Sequence, residues 1–150
     1  MVELAILVGL PGSGKTSFYR ARLAATHALV SKDLLGRAAD KGRRQLELVQ
    51  RELRAGRSVA VDNTNPRATD RAPLVAAGRQ AGARVVAYAL DTPVGEALAR
   101  NRGREGPARV PAVAVFVAAK RLEPPTRGEG FHAVFRVRAQ GGAFEVAPAD

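Results

Sequence analysis

The segment from Gly9 to Thr16 carries the residue types and spacing of a phosphate-binding loop. Its sequence, GLPGSGKT, fits G-x-x-x-x-G-K-[ST] at every fixed position. In such a loop, backbone N–H groups beside the glycines surround a phosphate, the lysine reaches the terminal phosphates, and the last hydroxyl can coordinate Mg²⁺. The sequence therefore predicts a site for ATP and Mg²⁺. The predicted nucleotide-binding residues of this segment are Gly9, Pro11, Gly12, Ser13, Gly14, Lys15, Thr16 and Ser17, and Lys15 is also a predicted catalytic residue.

Two aspartates follow short apolar segments that are predicted to be strands. Asp62 ends the segment 58–62, where a carboxylate could help Thr16 hold Mg²⁺ or could cap the turn at Asn63. Asp33 follows the segment 28–30, where it could accept the proton of an attacking hydroxyl or could cap the next helix. Because ligands of open α/β sheets bind at the carboxyl ends of the strands, we expect both acids near the phosphate loop.

Four arginines lie on or beside the segment 101–109, between two predicted helices: Arg100, Arg102, Arg104 and Arg109. A loop that closes guanidinium groups over the γ-phosphate would stabilise the charge that develops in phosphoryl transfer and would exclude water. The alternative is an ordinary solvated basic loop. The phosphate loop upstream favours an Arg-rich lid.

Short apolar segments alternate with longer helical ones along the chain, which predicts an α/β fold with a mostly parallel sheet. The predicted strands are 2–8, 28–30, 58–62, 83–90 and 131–137, with 143–146 as an added edge strand; the predicted helices are 17–24, 34–55, 68–81, 93–100 and 111–122. Residues 91–93 are expected to cap the fourth helix, and Gly42 to interrupt the second. We expect one domain over residues 1–150.

The charge of the chain points to an anionic partner. Lys and Arg number 24 against 14 acidic residues, a formal net charge of +10. A bias in genomic base composition toward arginine codons is the alternative explanation. With 5% aromatic residues, a broad base-stacking platform is not expected. The chain has no cysteine and no apolar run long enough for a membrane span, and it begins directly with a predicted strand, so we expect a cytoplasmic protein without membrane association.

Five segments together resemble a known family. They are GLPGSGKT at 9–16, VSKD at 30–33, VDNTNP at 61–66, RNR at 100–102 and AKRLEPPTRGEGF at 119–131. In this order they resemble the 5′-hydroxyl polynucleotide kinases, and most of all the kinase domain of the kinase–phosphatase repair enzymes. The resemblance covers roughly residues 4–137. It implies a P-loop kinase-like three-layer sandwich, with a mostly parallel sheet flanked by helices and an Arg-rich lid.

The resemblance also implies an activity, which is transfer of the γ-phosphoryl group of ATP to the 5′-hydroxyl end of DNA or RNA in end healing or repair. It makes Asp33 the general base. Arg100 and Arg104, or Arg102 in place of one of them, would contact the ATP phosphates, with Arg104 as a catalytic residue. The substrate-binding residues would be Asp33, Arg37, Asn63 and Asn65, and Arg37 would hold a 3′-phosphate of the acceptor. The metal-binding residues remain Thr16 and Asp62.

The chain departs from that family in one respect. It lacks the Asp-x-Asp-Gly-Thr motif of the fused phosphatase, so 3′-phosphate removal would need a separate phosphatase, with a ligase as a further partner. Two other functions stay open at this point. One is a P-loop kinase for a small-molecule hydroxyl of the nucleoside, adenylyl sulfate or antibiotic type. The other is a non-catalytic, ATP-dependent switch that binds nucleic acid. A GTPase is disfavoured because no Asn-Lys-x-Asp motif occurs.

Overall fold

One mixed sheet spans nearly the whole length of the chain. The computed structural model describes residues 1–35, 40–106, 109–140 and 142–149, without the side chains of Asp33 and Leu34. Within these residues the strands are β1 (Glu3–Val8), β2 (His27–Val30), β3 (Ser58–Asp62), β4 (Arg84–Leu90), β5 (Ala133–Gln140) and β6 (Ala143–Pro148). Their order is β2-β3-β1-β4-β5-β6, with parallel pairing throughout except between β5 and β6, which are antiparallel.

Helices cover both faces of the sheet, as the alternating pattern predicts. They are α1 (Lys15–Phe18), which continues as a wider π-helical turn over Tyr19–Leu23, α2 (Lys41–Arg54), α3 (Ala68–Gln80), α4 (Val94–Arg102) and α5 (Ala112–Arg121). Two short 3-10 turns lie at Lys32–Leu35 and Arg127–Glu129. The arrangement confirms the predicted α/β class with a mostly parallel sheet.

The central strand β1 divides the core into two layers. Side chains alternate along a strand, so Leu4 and Ile6 pack on one face with residues of α2 and α3, whereas Ala5 and Leu7 pack on the other with Phe18. All four of these β1 side chains are 0% exposed. Burial of each large apolar side chain contributes about 1.5–3 kcal/mol, so this strand is a rigid base for the loop that follows it.

The strand order brings the predicted functional segments to one edge of the sheet. β1 lies beside β3, and β3 lies beside β2, with Leu7 paired to Asp62 and Val30 paired to Val61. The phosphate loop, Asp62 and the turn that contains Asp33 therefore follow three adjacent strands at their carboxyl ends.

Three local expectations differ from the structure in whole or in part. Of the predicted helix 34–55, residues 34 and 35 end a 3-10 turn, Lys41–Arg54 form α2, and residues 36–39 lie outside the described residues. Gly42 lies inside α2 without interrupting it. Pro93 is the N-cap residue of α4, as expected, but no side chain caps the helix. Asp91 instead pairs with Arg138, and the Thr92 hydroxyl donates to the carbonyl oxygen of Ser13 (2.9 Å), which ties the start of α4 to the phosphate loop. No described helix is long and apolar enough to cross a membrane.

Candidate active site

The phosphate loop is packed so closely that two of its glycines have no room for a side chain. Gly12 and Gly14 have φ angles of 80° and 98°, in the left-handed region that favours glycine. A Cβ atom on Gly12 would lie 2.4 Å from the carbonyl oxygen of Ala97, and one on Gly14 would lie 2.7 Å from Nη1 of Arg100. The loop is therefore held against α4, and the Arg100 guanidinium lies directly beside it.

Polar groups in the loop fit the phosphates of a nucleotide. The Lys15 ammonium is buried and donates to the carbonyl oxygens of Gly9 and Leu10, both at 2.9 Å. The Ser13 hydroxyl is buried, and its Oγ has no hydrogen-bond partner in the described part of the chain. Because buried polar groups normally have partners, the Ser13 hydroxyl fits a phosphate oxygen of a bound nucleotide.

The Thr16 hydroxyl and the Asp62 carboxylate lie together. Thr16 Oγ1 donates to Asp62 Oδ2 at 2.7 Å, and Asp62 is buried. A hydroxyl and a carboxylate beside a phosphate loop are oxygen donors of the kind Mg²⁺ takes, with water and phosphate oxygens completing its octahedron. Among the described residues, no cluster of three or more His, Asp or Glu offers a separate metal site. The two residues thus fit Mg²⁺, and their metal binding stays a prediction.

The turn after β3 is joined to the phosphate loop and to β2. The Gly9 N–H donates to the carbonyl oxygen of Thr64 (3.2 Å). Asn63 accepts from the Lys32 N–H at Oδ1 (3.1 Å) and donates from Nδ2 to Oε1 of Gln45 (2.8 Å). Asn65 has a φ of 46° and donates to the carbonyl oxygen of Leu7 at 2.9 Å. Both asparagines line the cleft, but these bonds hold the protein's own groups, so substrate contact by either stays a prediction.

The predicted base lies on the expected edge of the sheet. The backbone of Asp33 is in the 3-10 turn Lys32–Leu35, directly after β2, and its side chain is outside the description. Arg37 lies outside the described residues altogether. The roles of both residues stay predictions.

The four arginines of the predicted lid are not equivalent. Arg100 lies against Gly14 and pairs with Glu96 at 3.3 Å, and Arg104 lines the same cleft as Lys15 and Thr16. Arg102 and Arg109 are exposed. The structure thus places Arg100 beside the phosphate loop and Arg104 in the lining of the cleft.

The Asn101 side chain joins the two ends of the Arg-rich segment 101–109 by hydrogen bonds to Val110. Its Nδ2 donates to the carbonyl oxygen of Val110 (2.7 Å), and its Oδ1 accepts from the Val110 N–H (3.0 Å). The side chain is 2% exposed. Asn101 belongs to a motif that carried the family resemblance, but the sequence alone gave it no role.

An ion pair beneath the turn after β3 was not predicted either. Arg71 on α3 is 0% exposed and donates from Nε and Nη2 to the two carboxylate oxygens of Glu129, each at 2.9 Å. Its Nη1 donates to the carbonyl oxygen of Asn65 at 2.8 Å. Burial acts to raise the pKa of Glu129, but hydrogen bonds from Arg71 and the Thr126 N–H, together with the Arg71 charge, outweigh it and hold the pKa below its ordinary value.

One cleft, of about 970 Å³, runs past the phosphate loop and the turn after β3. Its lining includes Lys15, Thr16 and Asp62 together with Asn63 and Gln45. Basic side chains predominate over acidic ones in this lining: Lys15, Arg20, Lys32, Arg43, Arg104 and Arg121 against Asp62 and Asp70. The cleft can therefore take a nucleotide and a second anionic molecule.

Comparison with known proteins places the chain in a family. The model of an AAA domain family (AAA_33) matches residues 4–125. A gluconokinase from Sinorhizobium meliloti 1021 has a similar structure, with a TM-score of 0.67 and 21% identity over 93% of this chain and 85% of that one. Kti12 from Chaetomium thermophilum, solved in complex with ADP-AlF3, has a TM-score of 0.67 and 17% identity over 90% of this chain and 88% of that one.

A chain of the Pnkp1/Rnl/Hen1 complex is also similar, with a TM-score of 0.54 and 25% identity over 66% of this chain and 38% of that one. Of these three similar structures, it has the lowest coverage of both chains and the lowest TM-score. The shared fold implies a nucleotide in the cleft, and the phosphate loop described above fits one. The chain belongs to the AAA domain family and has the fold of the P-loop kinases.

Proposed function

We propose that this protein is an ATP- and Mg²⁺-dependent kinase that phosphorylates a hydroxyl group on an anionic acceptor. The proposal depends on one observation: residues of the phosphate loop, Thr16 and Asp62 line the same cleft as Asn63 and Gln45. A donor site and an acceptor site that open into one basic cleft are the arrangement that direct phosphoryl transfer requires.

Several residues of the cleft would have separate roles in transfer of the phosphoryl group. The Lys15 ammonium would exchange the carbonyl oxygens of Gly9 and Leu10 for phosphate oxygens, and Arg100 and Arg104 would add positive charge at the γ-phosphate. Thr16 and Asp62 would hold Mg²⁺, which when bound neutralises charge on the phosphates. Asp33 would accept the proton of the acceptor hydroxyl.

A small anionic molecule is the first candidate for the acceptor. Two of the similar structures are a gluconokinase and a sugar kinase, and gluconate is a polyhydroxy carboxylate. The basic lining of the cleft would hold a carboxylate or phosphate of such a molecule. These similarities lie near 20% identity, so the particular acceptor is part of the proposal and not a finding.

A 5′-hydroxyl end of DNA or RNA is the second candidate, favoured by a specific observation. Outside the cleft, α2 carries the exposed side chains of Arg44, Arg51 and Arg54, which lie with Glu47 and Leu48 around a surface depression. From Arg44 to Arg54 a helix rises about 15 Å, the span of roughly four phosphates of one B-form strand. The resemblance of five ordered motifs to polynucleotide kinases agrees with this candidate. A separate phosphatase or ligase would then complete end healing.

The experiment is a label-transfer assay with γ-labelled ATP, Mg²⁺ and a panel of acceptors. The panel contains D-gluconate, free nucleosides, and 5′-hydroxyl DNA and RNA oligonucleotides. Transfer to gluconate alone would support the first candidate, and transfer to oligonucleotides with a KM that rises steeply with salt would support the second. Binding of oligonucleotide without transfer to any acceptor would refute the kinase proposal and favour the switch.

Asp33→Asn tests the general base within the same assay. The amide keeps the shape of the carboxylate but cannot accept the proton, so transfer should fall by a factor of about 100 or more while ADP binding stays unchanged. Calorimetric titration with ADP and Mg²⁺ supplies the binding measurement. If Asp33→Asn turned over acceptor at a near-normal rate, Asp33 would not be the base.

A further inference from the structure

Gln45 on α2 is a buried polar side chain of which only one end has a partner. The residue is 3% exposed and lines the cleft beside Asp62 and Asn63. Its Oε1 accepts from Asn63 Nδ2 at 2.8 Å. Its Nε2 has an accessible area below 1 Å² and no hydrogen-bond partner among the residues that the structure describes.

The backbone N–H of Lys32 fixes the orientation of this amide through two successive hydrogen bonds, by way of Asn63. The Lys32 N–H can act only as a donor, so the atom of Asn63 that it contacts must be Oδ1. The other end of Asn63 is then Nδ2, a donor, and the atom of Gln45 that it contacts must be Oε1. Nε2 of Gln45, with its two N–H groups, is therefore the end that has no partner among the described residues.

A buried donor without a partner is unfavourable, and few such groups occur in folded proteins. Apolar residues occupy the other buried positions on the same face of α2, Val49 and Leu53, one and two turns further along the helix. A leucine or methionine at position 45 would remove this donor but would leave Asn63 Nδ2 without its acceptor, so Oε1 of Gln45 has a structural role. Nε2 has no such role among the described residues, and it is the end that could pair with a ligand oxygen.

We propose that Gln45 binds the acceptor and selects it, by donating from Nε2 to an oxyanion oxygen, a carboxylate or phosphate oxygen, on the molecule that is phosphorylated. This inference rests on the proposed kinase function and names the acceptor chemistry of the same cleft. Lys32 and Arg43 line the cleft with Gln45 and supply positive charge for such a group. Since Nε2 is nearly covered, the oxygen reaches it only with a local rearrangement of the cleft wall.

Two variants separate the donor from the shape of the side chain. Gln45→Met keeps the length but removes both the Nε2 donor and the Oε1 that accepts from Asn63, so the KM for the acceptor should rise about 10-fold while the KM for ATP changes by less than about twofold. Gln45→Glu keeps the bond from Asn63 but places a carboxylate opposite the oxyanion, so its acceptor KM should rise further. A Gln45→Glu enzyme with a normal acceptor KM would overturn the proposal.

The matched control is Gln50→Met. Gln50 lies on the same helix and is partly exposed, and it is absent from the lining of the cleft. Gln45→Met should melt at a lower temperature than Gln50→Met, because it leaves Asn63 Nδ2 without its acceptor, and only Gln45→Met should raise the acceptor KM. Equal effects of the two variants on KM would assign Gln45 a structural role and overturn the proposal.

A binding measurement keeps this inference distinct from the proposed function. In ¹⁵N-labelled protein with ADP and Mg²⁺, the side-chain amide resonance of Gln45 can be assigned by its loss in Gln45→Met. D-gluconate and a 5′-hydroxyl oligonucleotide are then titrated in turn, and one of them should shift this resonance saturably. A shift without label transfer would refute the kinase and retain the Gln45 site. Transfer with an unmoved Gln45 resonance would retain the kinase and refute the site.

Discussion

Arg71→Met should destabilise the protein strongly because it leaves two groups without their partner. The guanidinium is fully buried and makes three hydrogen bonds of 2.8–2.9 Å, two to the Glu129 carboxylate and one to the carbonyl oxygen of Asn65. Removal of one partner of a buried ion pair costs about 3–5 kcal/mol. Because the Glu129 side chain keeps 14% exposure, we expect a value near the lower end, about 3 kcal/mol.

At about 2–4 °C per kcal/mol for a chain of this size, the melting temperature should fall by roughly 6–12 °C. Circular dichroism during thermal unfolding and urea titration measure the two quantities. Arg79→Met is the matched control: Arg79 lies on the same helix and donates to the carbonyl oxygen of Gly130 at an exposed position, so its loss should cost less than about 1 kcal/mol.

The double variant Arg71→Met with Glu129→Met tests the cause. It removes both charged groups, and replacement of a buried ion pair by apolar residues is often close to neutral. The double variant should therefore be more stable than Arg71→Met alone. A single variant that loses under about 1 kcal/mol, or a double variant that is less stable than the single one, would refute the reasoning.

Three further predictions concern the phosphate loop, the metal site and pH. Gly12→Ala should weaken ADP binding at least about 10-fold in calorimetry, because its Cβ would meet the backbone carbonyl oxygen of Ala97 at 2.4 Å. Gly82→Ala, with a φ of 72° and no atom within 4 Å of its Cβ, should leave binding intact, and equal losses would refute the steric cause. Asp62→Asn should raise the Mg²⁺ concentration needed for half-maximal transfer about 10- to 100-fold, and an unchanged requirement would remove Asp62 from the metal site. Because the folded-state pKa of Glu129 is lowered, its contribution to stability is fully present above its unfolded-state value of about 4.5 and is lost as pH falls through the folded value. The stability of the wild type should thus approach that of Glu129→Gln as pH drops below 4.5 in urea titrations, and a constant difference would contradict this.

Local sequence signals sufficed for the elements that carry the phosphate chemistry. The bounds of β3 agree with the predicted segment 58–62, because an apolar run ended by an acid and an Asn-Pro turn leaves little choice of register. The phosphate loop follows from a pattern whose glycines are required by the close approach of α4. The position of Asp62 beside Thr16 follows once the two strands are taken as neighbours in a parallel sheet.

Groups that depend on distant partners could not be predicted. Arg71 is one of several arginines in the chain, and its burial depends on Glu129, which is 58 residues away. Gln45 precedes apolar positions on a helix, and which of its two amide atoms has no partner depends on which end of Asn63 faces it. The start of α2 also escaped prediction: Asp40 adopts a left-handed conformation and accepts from the Arg43 N–H, a cap that separates α2 from the preceding turn.

The two hydrogen bonds between Asn101 and Val110 allow the length of the Arg-rich segment between them to change with little loss of stability. Both ends of the segment are held by one side chain, so added residues between them would not disturb α4 or the phosphate loop. Doubling a loop costs only about 0.6 kcal/mol of closure entropy. Members of the family could thus change the size of this segment, part of which lines the cleft, by insertion alone while α4 and the phosphate loop stay in place.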